Sequence, residues 1–516
     1  MLPRHRFGHV DDDEKTREVP MVRLSAAALS ASPAELTPEV GVPGYDRSQL
    51  KAGIVHFGVG GFHRAHQAMY VDRLMNAGDA AEWGICGVGV LEFDARMKQV
   101  MDEQDCLYTL VLKHPDGTLE PRIIGSLIQY LYAPDDPQAV VEKLASPDTR
   151  IVSLTITEGG YNFDQITGEF MADTPAVAAD LRPGAVPTTV FGLVTAGLAL
   201  RRARGLKPFT VMSCDNIPGN GRVARKMFTA FARLKDPGLA DWMDAEVHFP
   251  NSMVDRITPA TTDADRELVR ENWGIDDGWP VVAEPFEQWV LEDDFGLGRP
   301  PYEQAGVQVV DDVEPYEQMK LRLLNVGHQA IAYFGSLAGY RYAHEAAHDP
   351  LLVGLLRRYW QREGRPTLAP VPGVDLDAYT DELVARFGNE HVRDTLARLA
   401  AESSDRIPKW LVPVIRDRLA AGGEVDASAA IVASWARYAE GVDEAGEPIT
   451  LVDRLAHSRH EAALAQASDP LAFLRDASLF GDLDAHPAFT EPYLRTLRVL
   501  HEGGARAALE DLLARP

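Results

Sequence analysis

Apolar and polar residues in the first part of the chain follow the pattern of short buried strands alternating with amphipathic helices. Runs of consecutive apolar residues with the length of a strand occupy residues 53–60, 83–90, 150–157, 208–215 and 279–286. Between several of these runs lie stretches with a helical apolar period, such as VFGLVTAGLALRRARG and VARKMFTAFARL. Strands that alternate with helices predict a parallel sheet with helices packed on both of its faces.

Helical periodicity dominates the chain after about residue 310, where strand signals nearly vanish. We therefore predict an α/β fold with a Rossmann-type N-terminal domain over residues 26–308 and a mostly α-helical C-terminal domain over residues 309–516. The boundary falls near the Pro- and Gly-rich segment GRPPYEQAGVQVVDDVEPYE. Residues 1–25 are predicted to form a mobile extension outside the fold.

One helical segment of the second domain places three polar side chains on a face that should be buried. In PYEQMKLRLLNVGHQAIAYF, at about 100° per residue, Asn325 lies about 140° from Lys320, and His328 lies about 80° from it. Because a buried ammonium group is costly, desolvation lowers the pKa of such a lysine and suits it to accept a proton. A base, an amide donor and an imidazole together suit the oxidation of an alcohol. The alternative is that Lys320 snorkels to solvent and that the other two are hydrogen-bonded core residues.

Charge and cysteine content limit the partners and the compartment. The 516-residue chain has a formal net charge of −26, which opposes binding to nucleic acid or to an anionic membrane. No apolar stretch has the length needed to cross a bilayer. The three cysteines, Cys86, Cys106 and Cys214, lack zinc-ligand spacing, and such a sparse, odd set is typical of a reducing cytosol. We expect a cytoplasmic protein that binds no metal.

A glycine-rich turn follows the first predicted strand. A turn of this kind, between a strand and a helix, lets a pyrophosphate approach the backbone, so we assign Gly58, Gly60, Gly61 and Phe62 to cofactor binding. The full GxGxxG fingerprint is not met, because His63 occupies the third glycine position. A GxG pair alone is weak evidence, but its place between a strand and a helix strengthens the assignment.

Two acidic residues, Glu92 and Asp94, follow the second predicted strand, where a carboxylate that binds the adenosine ribose is expected. Their distance from Gly58 exceeds the usual interval of ~20 residues, so the segment between must be longer than standard. A carboxylate here would accept a hydrogen bond from the ribose 2′-hydroxyl and repel a 2′-phosphate, which predicts NAD rather than NADP. The alternative is that each acid is an ordinary solvated loop charge.

Polar residues and glycines also close two later strands, in TITEGGY and SCDNIPGNG. Open α/β sheets bind ligands at this edge. Asn216 could therefore supply an amide donor to an alkoxide, although capping of a turn or helix is the commoner use of asparagine. Asp255 and Arg256 are adjacent in FPNSMVDRITPATT, and an adjacent pair of this kind usually forms a surface ion pair.

Several motifs from both predicted domains occur in order between about residue 35 and the C terminus. They are GVGGFHRAHQAMYVDRL, TITEGGYN, MSCDNIPGNG, FPNSMVDRITP, PVVAEPFEQWVLED and the helix K-x-x-L-L-N-x-x-H. Together they resemble the polyol-specific long-chain dehydrogenases. The N-terminal extension lies outside the resemblance.

The resemblance implies roles for the matched residues. Lys320 would remove the proton of the substrate hydroxyl, and Asn216 and Asn325 would stabilise the alkoxide. His328 would position the substrate hydroxyls. Further substrate contacts are implied for Asp255, Arg398, Arg406 and the nearby Lys409. A pathway that carries the proton away from the lysine is implied for Glu158 and Glu317.

For the coenzyme, the resemblance places Asp94, rather than Glu92, at the acid that selects NAD. The preceding position, which is often acidic in the family, is Phe93 here. This substitution leaves NADP open as an alternative cofactor.

The implied activity is the NAD-dependent, metal-independent oxidation of D-mannitol to D-fructose and the reverse reduction. Alternatives within the family are a D-arabinitol dehydrogenase and a reductase of fructuronate or tagaturonate. A non-catalytic NAD-binding regulator is disfavoured, because the lysine, asparagine and histidine are all present. The only other partner expected is the small polyol or ketose substrate, and the resemblance favours a monomer.

Overall fold

A five-stranded parallel sheet forms the centre of the N-terminal half, in the strand order β6 (Leu127–Tyr132), β3 (Ile85–Gly89), β2 (Ile54–Phe57), β7 (Ile151–Leu154) and β8 (Thr210–Ser213). The structure is a computed structural model, which describes residues 21–31, 39–164 and 167–515. Its strands are β1 (Val22–Arg23), β2 (Ile54–Phe57), β3 (Ile85–Gly89), β4 (Tyr108–Lys113), β5 (Leu119–Ile124), β6 (Leu127–Tyr132), β7 (Ile151–Leu154), β8 (Thr210–Ser213), β9 (Ser252–Asp255), β10 (Ile275–Asp276), β11 (Val281–Ala283), β12 (Gln288–Glu292) and β13 (Gln308–Val310).

The sheet forms where the sequence predicts it, because β2, β3, β7 and β8 consist entirely of buried residues. A strand covered on both faces needs an unbroken apolar run rather than an alternating one. Two mixed three-stranded sheets, β11-β4-β5 and β13-β12-β9, lie beside it. The run at 279–286 does contain a strand, β11, but that strand pairs with β4 outside the central sheet, which corrects its predicted placement.

Helices pack on both faces of the central sheet, as expected for a Rossmann-type domain. The helices of this half are α1 (Ala26–Ala31), α2 (Gly61–Ala65), α3 (Gln67–Ala77), α4 (Asp94–Glu103), α5 (Pro137–Leu144), α6 (Thr157–Gly160), α7 (Pro175–Asp180), α8 (Val190–Ala203), α9 (Asn220–Lys235), α10 (Pro237–Glu246) and α11 (Asp263–Trp273).

The C-terminal half is helical and has one large apolar core, so the predicted fold class is confirmed. Its helices are α12 (Glu314–Met319), α13 (Val326–Leu337), α14 (Ala343–Ala347), α15 (Pro350–Tyr359), α16 (Leu376–Phe387), α17 (Leu396–Ala400), α18 (Ser403–Trp410), α19 (Val412–Ala420), α20 (Asp426–Tyr438), α21 (Ala456–Ala465), α22 (Ala477–Phe480) and α23 (Pro487–Leu513). Two π-helical turns extend α12 and α15, at Lys320–Asn325 and Trp360–Gly364. No helix in the described ranges combines the length and apolar character of a membrane span.

The structure moves two of the predicted domain limits. Residues 1–20 lie outside the described residues, but Val22 pairs with Ile275, and Leu24 is buried against the first half. The fold therefore includes residues 22–25, which were predicted to lie in the extension. The predicted boundary at 308/309 falls inside β13, which pairs with β12, so the first half continues through Val310.

The segment FHRAHQAMYVDRLMNAG forms two helices, α2 and α3, rather than the one predicted. His66 lies between them with a non-helical backbone (φ −124°, ψ −91°). Its imidazole is held from both sides, by the carbonyl of Gln288 at 2.9 Å and the amide of Gln67 at 2.9 Å. The contact with Gln288, 222 positions away, stabilises a break that the apolar period does not signal. The helix ends at Gly78 as predicted, with φ at 95°.

Candidate active site

The glycine turn after β2 brings the backbone very close to the end of β7. Gly58 has φ 88°, and a Cβ atom built on it would lie 2.1 Å from the carbonyl oxygen of Thr155. Only glycine satisfies both conditions. Gly60 is the N-cap of α2, and Gly61 is its first residue. The turn leaves exposed backbone at the carboxyl edge of the sheet, where a pyrophosphate group can approach.

A cavity of about 750 Å³ opens over this turn and the carboxyl ends of β2, β3 and β7. Gly58, Gly60 and Gly61 form part of its wall, whereas Phe62 does not and stacks on His66 instead. A cavity of this size at the edge of an open parallel sheet matches a dinucleotide. The residues present therefore fit the cofactor that the fold implies.

Of the two candidate ribose acids, the structure places Asp94 on the wall of this cavity and leaves Glu92 outside the lining. One carboxylate oxygen of Asp94 accepts hydrogen bonds from the backbone N–H groups of Val90 and Leu91, at 2.8 and 2.9 Å. These bonds hold the carboxylate over the end of β3. Phe93 also lines the cavity and is 72% exposed.

His63, at the third glycine position of the fingerprint, is buried against β2. Its ring stacks on that of His56 in β2, with centroids 3.4 Å apart and planes 11° from parallel. The stack fills the space where a glycine would allow close packing of helix and strand. Burial lowers the pKa of both imidazoles, so the pair stays neutral and does not repel.

Lys320 is buried at the start of the first π-helical turn. Its Nζ donates hydrogen bonds to Asn216 Oδ1 at 2.7 Å and to the carbonyl of Val254 at 2.6 Å. Desolvation lowers the pKa of Lys320, while the carboxylate of Asp255 opposes that shift. The lysine is therefore held inside the protein. The alternative considered from the sequence, that Lys320 snorkels to solvent, is wrong.

The π-helical turn explains why Lys320 and Asn325 can serve one site. The backbone N–H of Val326 donates to the carbonyl of Leu321, five residues earlier. Residues five apart lie on one side of a π-helix, whereas an α-helix would separate them by about 140°. The predicted regular helix is thus wrong at this point. Trp360 Nε1 donates to the carbonyl of Leu323 at 2.9 Å and stabilises the irregular turn.

Asn325 and His328 follow Lys320 in this helical segment. Asn325 is buried, and its Nδ2 has no hydrogen-bond partner among the described residues. An unpaired buried amide is costly unless a ligand completes it. The ring of His328 packs on Phe387 at 4.4 Å between centroids. Burial, followed by the charge of Arg398, holds the pKa of His328 well below its usual value, so the imidazole stays neutral.

The two predicted proton-pathway acids differ in exposure. Glu317 is buried and accepts a hydrogen bond from the N–H of Gly219 at 2.9 Å, and burial raises its pKa to about 7. Glu158 is exposed on α6. Both carboxylates act on Lys320 by raising its pKa. Asp215, which the sequence did not single out, fixes the start of α6 because its carboxylate accepts from the N–H of Thr157 at 2.7 Å.

Asp255 and Arg256 are both buried and do not pair with each other, so the surface ion pair suggested by their adjacency is wrong. Asp255 binds Arg386 of α16 instead, through two hydrogen bonds of 2.8 and 3.0 Å. Arg386 also holds Glu284. Neither partner was identified from sequence, because the contacts join residues 131 and 102 positions apart.

The three cations predicted to bind distal substrate hydroxyls lie on α17 and α18. Arg398 forms a two-bonded ion pair with Asp394. Arg406 donates to the carbonyl of Leu399 at 3.0 Å and lies over the ring of Trp410. Lys409 is partly buried and makes no hydrogen bond or ion pair within the described part of the chain. The charges of both arginines lower the pKa of His328.

Two family models match the chain. The model of the mannitol dehydrogenase Rossmann domain matches residues 52–304, and that of the mannitol dehydrogenase C-terminal domain matches residues 312–500. The chain belongs to the mannitol dehydrogenase family. The resemblance inferred from the motifs is therefore confirmed.

Individual members of the mannitol dehydrogenase family are similar over nearly the whole chain. Mannitol dehydrogenase 2 of Saccharomyces cerevisiae is 45% identical over 502 residues, which cover 97% of this chain and 99% of that protein. Mannitol 2-dehydrogenase of Phaeosphaeria nodorum is 44% identical and covers 94% and 86%. The structure of Pseudomonas fluorescens mannitol 2-dehydrogenase in a ternary complex with NAD and D-mannitol superposes with a TM-score of 0.88, at 46% identity, over 96% of this chain and all of that one. A substrate-free D-sorbitol dehydrogenase gives 0.86 at 38% identity, over 95% and 100%.

Proposed function

We propose that this member of the mannitol dehydrogenase family oxidises D-mannitol to D-fructose with NAD⁺ and catalyses the reverse reduction. The relatives named mannitol 2-dehydrogenase, and the complex of one of them with NAD and D-mannitol, support this activity at the level of the family. The observation that carries the proposal is the desolvated amine of Lys320, held between Asn216 and the carbonyl of Val254. Bound NAD⁺ would supply the hydride acceptor.

Lys320 acts as the general base. In the oxidation, the neutral amine takes the proton from the C2 hydroxyl of the polyol, and in the reduction the ammonium returns it. Burial favours the neutral form, which is the form that oxidation requires. The proposal therefore assigns the proton to a side chain of this protein and needs no metal for that step.

Asn216 and Asn325 stabilise the alkoxide that develops as the proton leaves. The oxygen of Asn216 accepts from Lys320, so its amide nitrogen is available to donate to the substrate. The unpaired Nδ2 of Asn325 supplies a second donor. Two such donors, the buried Asn325 and the exposed Asn216, favour the charge that forms in the transition state. Neutral His328 positions the substrate hydroxyls by hydrogen bonding.

The proton leaves Lys320 through Glu317 and Glu158. Because burial raises the pKa of Glu317 to about 7, this carboxyl group can both accept and release a proton near neutral pH. Glu158 is exposed and can pass the proton to water.

Arg398, Arg406 and Lys409 bind the distal hydroxyls, and Asp255 contributes an acceptor. A reductase of fructuronate or tagaturonate is the second candidate, because Arg398 and Arg406 could bind a distal carboxylate. Asp394 neutralises Arg398 through two hydrogen bonds, which favours a neutral polyol. D-arabinitol fits the same groups.

The test is NADH formation from D-mannitol, D-sorbitol, D-arabinitol and D-mannonate, repeated with NADP⁺. We expect D-mannitol with NAD⁺ to give the highest kcat/KM. Lys320→Ala should reduce kcat for oxidation by about 10²–10⁴-fold, whereas Lys226→Ala, at a surface ion pair with Glu169, should not change it. Near-normal turnover by Lys320→Ala would refute the assignment of the base, and a higher kcat/KM for D-mannonate than for the polyols would refute that of the substrate.

We infer a cytoplasmic location, because Cys86, Cys106 and Cys214 are all free and buried. We also infer a monomer from the resemblance to the family. Size-exclusion chromatography with light scattering tests the monomer, and a mass that is a multiple of the chain mass would contradict it.

A further inference from the structure

One buried arginine joins the two halves of the protein beside the catalytic lysine. Arg386 lies in the last turn of α16, in the helical half, and its side chain is 4% exposed. It donates two hydrogen bonds to Asp255, at 2.8 and 3.0 Å, and two to Glu284, at 2.8 and 3.0 Å. Asp255 ends β9 and Glu284 follows β11, so both carboxylates belong to the first half.

Neighbouring contacts fix this arginine rigidly. Its guanidinium lies over the ring of Phe286, 3.7 Å from the centroid. Glu284 accepts a further bond from the N–H of Ile257 at 2.6 Å. Phe387, the next residue of α16, packs on the ring of His328. The end of α16 therefore contacts both the ionic cluster and a residue of the substrate site.

The cluster is coupled to Lys320 through β9. Val254, whose carbonyl accepts a hydrogen bond from the lysine, is bonded directly to Asp255. The charged or titratable groups that face Lys320 are Asp255 at the end of β9, Arg386 on α16, Glu158 on α6, Glu317 on α12, His328 on α13 and His66 between α2 and α3.

We propose that Arg386 is a positioning residue for the reaction proposed above. It neutralises Asp255 beside Lys320 and so favours the neutral amine, which can accept the proton of the substrate. The inference rests on the proposed function of Lys320 as a base. It assigns a role in catalysis to a side chain that need not touch the substrate.

The physical argument concerns the charge that remains around the amine. Arg386 is a single positive charge between two carboxylates. Without it, Asp255 and Glu284 would lose the guanidinium that both of them bind in a buried site, where charges interact strongly. An uncompensated carboxylate favours the ammonium form of Lys320, which cannot accept a proton. In agreement, the charge of Asp255 raises the pKa of Lys320, and the charge of Arg386 lowers it.

The experiment measures the pH dependence of kcat/KM for D-mannitol oxidation by the intact enzyme. In Arg386→Met we expect the rising limb to move to higher pH by about one to two units. The double variant that combines Arg386→Met with Asp255→Asn loses one negative and one positive charge. Its midpoint should therefore return towards that of the wild type, even if the rate stays low. The control is Arg299→Met, because Arg299 also bridges two carboxylates, Asp293 and Glu303, and should leave the midpoint unchanged.

A purely structural arginine predicts a different result, namely a lower rate with an unchanged midpoint and no recovery in the double variant. That outcome would overturn the inference. Glu284→Gln provides a second measurement if Arg386→Met does not fold. It leaves Arg386 with an excess of positive charge, so the midpoint should fall, and an unchanged midpoint would equally count against the inference. Failure of the wild type to oxidise any polyol would instead refute the proposed function.

Discussion

Some groups around Lys320 raise its pKa and others lower it, so the direction of each effect can be tested. Burial lowers the pKa of the lysine, and the carboxylate of Glu317 raises it. Because oxidation needs the neutral amine, the wild-type rate should increase with pH through this pKa and then level off. The rate of ketose reduction, which needs the ammonium, should decrease over the same range.

Glu317→Gln should move both transitions to lower pH, by about half a unit to one unit. Removing a negative charge makes the ammonium form of Lys320 less favourable, so the amine is neutral over a wider range. The control is Glu491→Gln, which changes an exposed acid on α23. The measurement is the pH profile of kcat/KM in both directions. A midpoint that moves to higher pH, or one that moves equally in the control, would contradict the assignment.

Asp94 and Glu92 give a second test at this scale, because only Asp94 lines the cofactor cavity. Asp94→Asn keeps an oxygen that can accept from Val90 and Leu91 but removes the charge that would repel a 2′-phosphate. We expect the ratio of kcat/KM for NADP⁺ to that for NAD⁺ to increase by about tenfold or more. Glu92→Gln should leave the ratio unchanged, and a larger effect in Glu92→Gln would reverse the assignment.

At the scale of elements, Gly58 and Gly78 allow the cost of a left-handed backbone to be measured separately from the cost of a steric clash. Both have a positive φ, 88° and 95°, but a Cβ at Gly78 would have nothing within 4 Å, whereas one at Gly58 would clash with the carbonyl of Thr155. Gly78→Ala should cost about 1–2 kcal/mol of stability and retain cofactor binding. Gly58→Ala should cost more and lose NADH binding, as measured by denaturant unfolding and by fluorescence titration. Equal effects of the two substitutions would contradict the close approach.

Elements built from continuous apolar runs were predictable from the sequence, and elements that depend on distant partners were not. The runs that became β2, β3, β7 and β8 are buried on both faces, so their composition alone identifies them. The π-helical turn at Lys320 has a regular apolar period. It departs from the α-helix because side chains of α15 and the turn after it, Tyr359 and Trp360, bind its carbonyls from 37 residues away.

The same distinction applies to the site. Lys320, Asn216 and Asp94 lie in recognisable motifs, and the structure places them at the amine site and the cofactor cavity. Arg386 stands in the ordinary amphipathic helix DAYTDELVARF, and nothing near it in sequence reveals that its partners lie in the other half of the protein. Long-range ion pairs have no local signature, so such residues are found only in three dimensions.

For the molecule as a whole, the cofactor cavity lies entirely within the first half, and the contacts of Arg386 tie that half to the helical one. A ligand that binds only the folded state stabilises it, by about 2.7 kcal/mol at a concentration 100-fold above its Kd. NAD⁺ should therefore raise the Tm of the intact protein, and NADP⁺ at the same concentration should raise it less, because Asp94 opposes the extra phosphate.

Differential scanning calorimetry measures this shift and also reports on the coupling of the two halves. If the Arg386 cluster makes them unfold together, NAD⁺ should move a single transition, although it contacts one half only. If the halves unfold separately, NAD⁺ should move one transition and leave the other in place. Arg386→Met should then change a single transition towards two separate ones. It removes all four hydrogen bonds between α16 and the two carboxylates. A wild-type protein that already shows two independent transitions would contradict this coupling while leaving the proposed chemistry of Lys320 intact.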